Sequence, residues 1–335
     1  MLLWHHLFYN DPEHYDRFVS LYKIGEIPIE CQIARFCKVC VAIFLLLSGY
    51  GLVKSYFGFL MAKGNNEFSI KNDAKYVFNH LLKLLSDYWF IYILFVPLGL
   101  FFGRSFIDIY GTNPLHYIAD FFGVSYLLYG YDYTMNLTWW FMSIIIVYYM
   151  LFPLLYRVLN YSPELLLGFS VFVLFCPFIP NIREMKTWFC PFVLGMYMAR
   201  YDSFTTIATR IKTKTKTITV TITAVFAMAF LRMEMGHSAK FDSLFGVAIT
   251  LLSFLVLSRI PILNKILEQL GKYSGAIFMF HTFIFSYYFK DFIYWFKYPP
   301  LIFLVMIVVC YAVAVGLENI KKLIKYDKLF VKITR

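Results

Sequence analysis

The chain has 335 residues; 60% are hydrophobic and 21% aromatic, while only 15% are charged. A soluble domain is about half apolar and roughly a quarter charged, so this excess cannot be hidden in one globular core. The net charge of +11 is distributed between apolar blocks rather than gathered on one patch, which argues for topology signals and against a nucleic-acid partner.

In chain order the apolar blocks run Met1–Tyr9, Val39–Val53, Leu84–Phe102, Trp139–Tyr156 and Leu165–Ile179. They continue with Trp188–Met198, Ile218–Leu231, Phe245–Leu257, Gly275–Phe296 and Leu301–Leu317. A bilayer core takes about 20 apolar residues per helix, and backbone amides in lipid must bond within their own segment. These blocks therefore predict an all-α polytopic integral membrane protein of about ten transmembrane helices, forming one domain over residues 1–335. Barrel strands would alternate apolar and polar residues, and these runs do not. The stretch Tyr117–Gly130 is short and carries Asp120, so it reads as interfacial or re-entrant and is left out of the spans.

Counting Lys and Arg in alternate loops gives nineteen on one side and ten on the other. The richer set, which includes Lys54, Lys75, Arg157, Arg200 and the C-terminal tail, should face the cytoplasm. Both termini are then cytoplasmic in a multi-pass plasma-membrane protein. The run Arg210–Thr217 ("RIKTKTKT") becomes a cytoplasmic loop that meets anionic membrane lipids. Met1–Tyr9 would rise only ~13 Å as a helix, less than half the bilayer core. It is either half-inserted or the end of a helix whose earlier residues precede Met1, and the second reading is preferred.

Six cysteines occur, three of them in "CQIARFCKVC". The pair Cys37-x-x-Cys40 lacks a second ligand pair at zinc-site spacing, so buried unpaired thiols are expected and no metal is implied.

Imidazoles within a membrane are costly and usually face the protein interior or a water-filled cavity. His5 and His6 are adjacent, and helical neighbours point ~100° apart, so one faces a cavity while the other packs on a second helix. An uncharged imidazole in that setting is a good general base for a hydroxyl group. His80 reads as a lone histidine bonded to backbone, whereas His281 is balanced between packing and function. Ser48 in "FLLLSGYGLVKSY" sits beside Gly49 and Gly51, which read as close helix-packing positions. Trp139 and Trp140 read first as an outer aromatic belt. Lys83 and Asp87, at i and i+4, read as a local ion pair or as a basic residue seating an anionic cofactor.

Several stretches together resemble the membrane-bound acyltransferase family 3, O-acyltransferases of cell-surface and secreted glycans. "LLWHHLFY" is similar to the end of that family's first helix, "CVAIFLLLSGYGL" to its second and "LSDYWFIYILFVPLG" to its third. "TWWFMSIIIVYYMLFPLL", "FVLGMYMAR" and "LGKYSGAIFMFHTF" resemble later blocks in the family's order. The resemblance implies ten core helices and a catalytic first-helix His, which falls on His5 or His6, with the register favouring His6. It also implies an Arg eleven positions earlier, which would precede Met1. Phe278 stands where the family commonly has Tyr.

The implied reaction is transfer of an acyl group, acetyl foremost, from acetyl-CoA or another acyl-CoA to a glycan or lipid-linked sugar hydroxyl. Ser48 and the Trp139–Trp140 region are candidate oxyanion donors. Ser274 and His281 are candidate cavity-lining residues, and Lys54, Lys75, Lys83 and Arg200 are candidate acyl-CoA phosphate contacts. A transporter or flippase with a histidine proton relay is the main alternative, but inverted repeats are not visible. A non-catalytic membrane scaffold is the third.

Overall fold

The computed structural model describes residues 1–9, 16–62, 69–210, 214–234, 238–257 and 260–334. Of the basic run Arg210–Thr217, residues 211–213 lie outside the described residues, as do Lys63 and Arg259. The helices are α1 (Leu2–Phe8), α2 (Ile29–Cys37), α3 (Cys40–Ala62), α4 (Ile70–Phe95), α5 (Phe106–Tyr110) and α6 (Pro114–Phe121). Then follow α7 (Ser125–Tyr129), α8 (Trp140–Tyr161), α9 (Pro163–Phe175), α10 (Met185–Arg200), α11 (Ser203–Arg210) and α12 (Lys214–Glu234). The chain ends with α13 (Asp242–Leu257), α14 (Pro261–Lys272), α15 (Ser274–Thr282), α16 (Lys290–Tyr294), α17 (Pro299–Leu323) and α18 (Tyr326–Thr334). A two-residue hairpin, Lys23–Ile24 against Ile27–Pro28, precedes α2, with Gly25 at φ 62° in its turn.

This is an all-α membrane protein. Among the described residues five segments are long and apolar enough to cross a bilayer: Ile29–Ala62, Ile70–Phe102, Leu137–Tyr161, Ala239–Val256 and Pro299–Leu323. Several run past their apolar blocks; α3 extends Val39–Val53 to Ala62, because backbone hydrogen bonding continues wherever no breaker intervenes. The block Gly275–Phe296 behaves differently from the single span expected. α15 passes into a π-helical turn at Phe283–Tyr288, and α16 restarts after Phe289. Tyr117–Gly130 divides into α6 and α7, eight and five residues long and too short to cross.

The chain folds as two compact units, one comprising Met1–Cys37, Phe78–Ile146 and Glu268–Arg335, the other Lys38–Val77 and Val147–Leu267. The second unit is built on backbone contact between α3 and α10. A Cβ on Gly195 would stand 1.9 Å from the Leu46 carbonyl oxygen, and one on Gly49 would stand 2.2 Å from that of Phe192. Only residues without a side chain permit this approach. Gly51 does not share that role, since nothing lies within 4 Å of its Cβ position. Three pairs of opposite charges meet in this unit. Asp73 accepts from Tyr56 and Arg157, and Lys54 meets Asp202 at 2.9 Å. Arg232 grips Asp242 through Nε at 2.7 Å and Nη2 at 3.0 Å, with both side chains fully buried. The six cysteines form no disulfides among the described residues, and five are buried.

Two stability outcomes follow from these contacts. Gly49→Ala and Gly195→Ala should each cost roughly 1–3 kcal/mol or more by overpacking, whereas Gly51→Ala should be neutral or stabilising; thermal unfolding in detergent reads both. Arg232→Met should cost about 3–5 kcal/mol by stranding the Asp242 carboxylate, and adding Asp242→Leu should recover most of that loss in the same assay.

Candidate active site

The first unit gathers its polar side chains around α1 and α15. α1 is pinned by three hydrogen bonds, two to α2 and one to α16. The Trp4 indole N–H donates to Glu30 O at 3.2 Å, His5 Nδ1 meets Ala34 O at 2.7 Å, and the Tyr294 hydroxyl donates to Leu7 O at 2.7 Å. A carbonyl only accepts, so His5 carries its proton on Nδ1. His5 is buried and serves to hold α1 on α2.

His6 points elsewhere, as the helical angle between neighbours requires. Its ring is half-buried and makes no hydrogen bond to any described residue. It lies 4.8 Å from the His281 ring and 6.4 Å from Phe285, centroid to centroid. His281 is fully buried. Its Nδ1 sits 3.0 Å from Ile277 O and 2.8 Å from Phe278 O, so its proton is shared between those carbonyls and Nε2 presents a lone pair. Thr282 Oγ1 stands 3.5 Å from that nitrogen.

A hydroxyl and amide network runs outward from this pair. Thr138 Oγ1 donates to Asn136 Oδ1 at 2.8 Å, so in its 3.3 Å contact with Thr282 the Thr282 hydroxyl is the donor. Asn136 Nδ2 and the Trp139 indole N–H both donate to Met279 O, at 3.3 and 2.8 Å. Trp139 is 2% exposed and packed against Tyr88, Tyr92 and Phe283, so it is a core residue rather than part of an aromatic belt. Its indole N–H is committed to Met279. Beyond Asn136, the carboxylate of Asp120 accepts from Thr134 Oγ1 (2.8 Å), Tyr110 OH (2.6 Å) and the Met135 N–H (3.0 Å). Burial pushes the Asp120 carboxyl up to about 6, against the pull of these three donors. Arg104 lies 3.8 Å over the Tyr287 ring and donates to Met135 O at 2.8 Å.

The remaining sequence-predicted residues are dispersed. Trp140 is half-buried at the start of α8. Ser274 is about two turns from His281 along α15 and donates to Gly271 O. Ser48 belongs to the second unit, near Tyr149. Lys54, Lys75 and Arg200 are also in that unit and exposed. The Lys54 ammonium is the first cause holding the Asp202 carboxyl below its usual range. Lys83 does not pair with Asp87, because Asp87 is taken by Lys321. It stands exposed in a groove of about 440 Å³ with Asn79, His80, Ser86, Asp327 and Phe330. Among the described residues no three His, Cys, Asp or Glu side chains converge as a metal site.

Sequence reasoning passed over Arg104, Asn136, Thr138 and Thr282, and used Asp120 only to discount a span. The available signal was their polarity next to apolar blocks, as in "MNLTWW".

No curated protein and no solved structure matches the chain. Residues 1–318 match the model of acyltransferase family 3, described as an acyltransferase domain, a match that runs through both compact units. With an apolar helical fold and that match over nearly its whole length, the chain belongs to acyltransferase family 3.

Proposed function

We propose that this membrane acyltransferase moves an acetyl group from cytoplasmic acetyl-CoA to a hydroxyl of a cell-surface or secreted glycan, with His6 as general base. The observation that carries the assignment to His6 is the contrast between neighbours. His5 spends its N–H on Ala34 and is buried, while His6 is half-buried, makes no hydrogen bond to a described residue and faces a second imidazole. A base must be reachable by the proton it removes, and of the two only His6 meets that condition.

In this reading the acceptor hydroxyl loses its proton to His6 as its oxygen attacks the thioester carbonyl carbon. The tetrahedral intermediate collapses with cleavage of the carbon–sulfur bond. The proton held by His6 passes to the leaving thiolate, giving the sugar ester and free CoA. The Trp139 indole is disfavoured as an oxyanion donor because its N–H is already bonded. Among the four candidate phosphate contacts, Lys83 is preferred. Lys54 is already neutralised by Asp202, whereas Lys83 has lost Asp87 to Lys321 and lines an open groove.

Transfer of radiolabelled acetyl from acetyl-CoA into the glycan fraction of membranes tests the reading. His6→Ala should lower transfer by ~10²–10⁴-fold at equal membrane abundance, and His5→Ala should lower thermal stability more than rate. Loss of transfer in His5→Ala with full activity in His6→Ala would reverse the assignment. Lys83→Ala should raise the KM for acetyl-CoA by about three- to tenfold with kcat unchanged, measured by varying acetyl-CoA in the same membranes.

A further inference from the structure

Asp120 is a buried carboxylate that the proposed reaction does not use, on a short helix outside the spanning segments. Four groups from three parts of the chain bond this one residue directly, and a fifth joins through one of them. Tyr88 OH from α4 donates to its carbonyl at 2.6 Å, and Tyr110 OH from α5 donates to Oδ2. Thr134 Oγ1 and the Met135 N–H arrive from the loop before α8, and Tyr92 OH, also on α4, joins through Tyr110 at 3.0 Å. Met135 is held at both ends of its polar backbone, its N–H by Asp120 and its carbonyl by Arg104. The next residues of that loop are the ones that touch the histidine helix: Asn136 and Trp139 on Met279 O, and Thr138 on Thr282.

We propose that Asp120 is a positioning residue for the acyl transfer, acting through Thr134, Met135, Asn136 and Thr138 on Thr282 to set His281 against His6. The proposal rests on the reading of His6 as the base. Its physical basis is the shortage of fixed points near His281. The side chains of residues 276–280, just before it on α15, are apolar and specify contact but not register, and a π turn begins one residue after Thr282. Directed hydrogen bonds from a loop that is itself pinned by a carboxylate supply the missing specification. Removing the carboxylate releases Met135, then the Thr138–Thr282 contact, and the imidazole pair loses its set geometry without any change in the imidazoles themselves.

The test uses the full chain in membranes and in detergent. Asp120→Asn keeps the size but cannot accept at both oxygens, and Thr138→Val keeps the shape but removes the hydroxyl. Each should lower kcat for acetyl transfer about tenfold or more, with the KM for acetyl-CoA changed less than about threefold. The double variant should be no worse than the weaker single variant, because both act on one contact, while Thr138→Ser should restore the rate. A second arm needs neither donor nor acceptor. The rate at which diethyl pyrocarbonate modifies His6, read by mass spectrometry, should change in both variants, while that of tethered His5 should not. Multiplicative effects in the double variant, a wild-type kcat in Thr138→Val, or unchanged His6 modification would overturn the proposal. Should Asp120→Asn fail to fold, Thr138→Val and Thr138→Ser decide the matter. If His6→Ala retains transfer, the base assignment falls, and the modification arm still decides whether Asp120 governs the imidazole pair.

Discussion

A polar group surrounded by hydrocarbon has no water to turn to, so the protein must supply its partner. In the first unit the usual solution is a side chain bonded to a backbone carbonyl of another helix. Trp4, His5, Tyr88, Trp139, Tyr288 and Tyr294 all do this. Each bond satisfies a donor and also ties one helix to another at a set height. The apolar packing between them, dominated by Phe, Tyr and Trp rings, supplies cohesion but little register. His6 stands out against this background because it is not spent in the same way.

The second unit meets the same constraint differently. There the tie between α3 and α10 is direct backbone approach at Gly49 and Gly195, and charges are neutralised in pairs such as Arg232–Asp242 and Asp73–Arg157. A buried guanidinium and carboxylate in bidentate contact present no net charge to the hydrocarbon. Groups committed in this manner are poor candidates for substrate contact, which is why Lys54 loses ground to Lys83.

The π turn at Phe283–Tyr288 connects the two themes. It lies where the apolar block Gly275–Phe296 was expected to be one continuous span, and it follows immediately on His281 and Thr282. The turn is gripped by Arg104 over Tyr287, by the Leu137 N–H on the Tyr287 hydroxyl and by Tyr288 on Phe95 O. Interruptions of this kind are frequent at functional sites, since they re-aim side chains that a regular helix would place elsewhere.

Composition and the spacing of apolar blocks determined the class of this protein, because the hydrocarbon core admits few structures and each needs a long apolar run. The order of motifs carried the family, and the adjacency of His5 and His6 already implied that they point apart. Tertiary structure decided which of the two is tied down, since Ala34 is distant in sequence and its carbonyl leaves no sequence signature. It also moved Asp87 from its helical neighbour Lys83 to Lys321, and Trp139 from a surface belt to the core. Local spacing specifies only what one helix can offer. Which offers are taken up depends on the helices packed against it, and the Asp120 network, assembled from distant segments around one carboxylate, became visible only there.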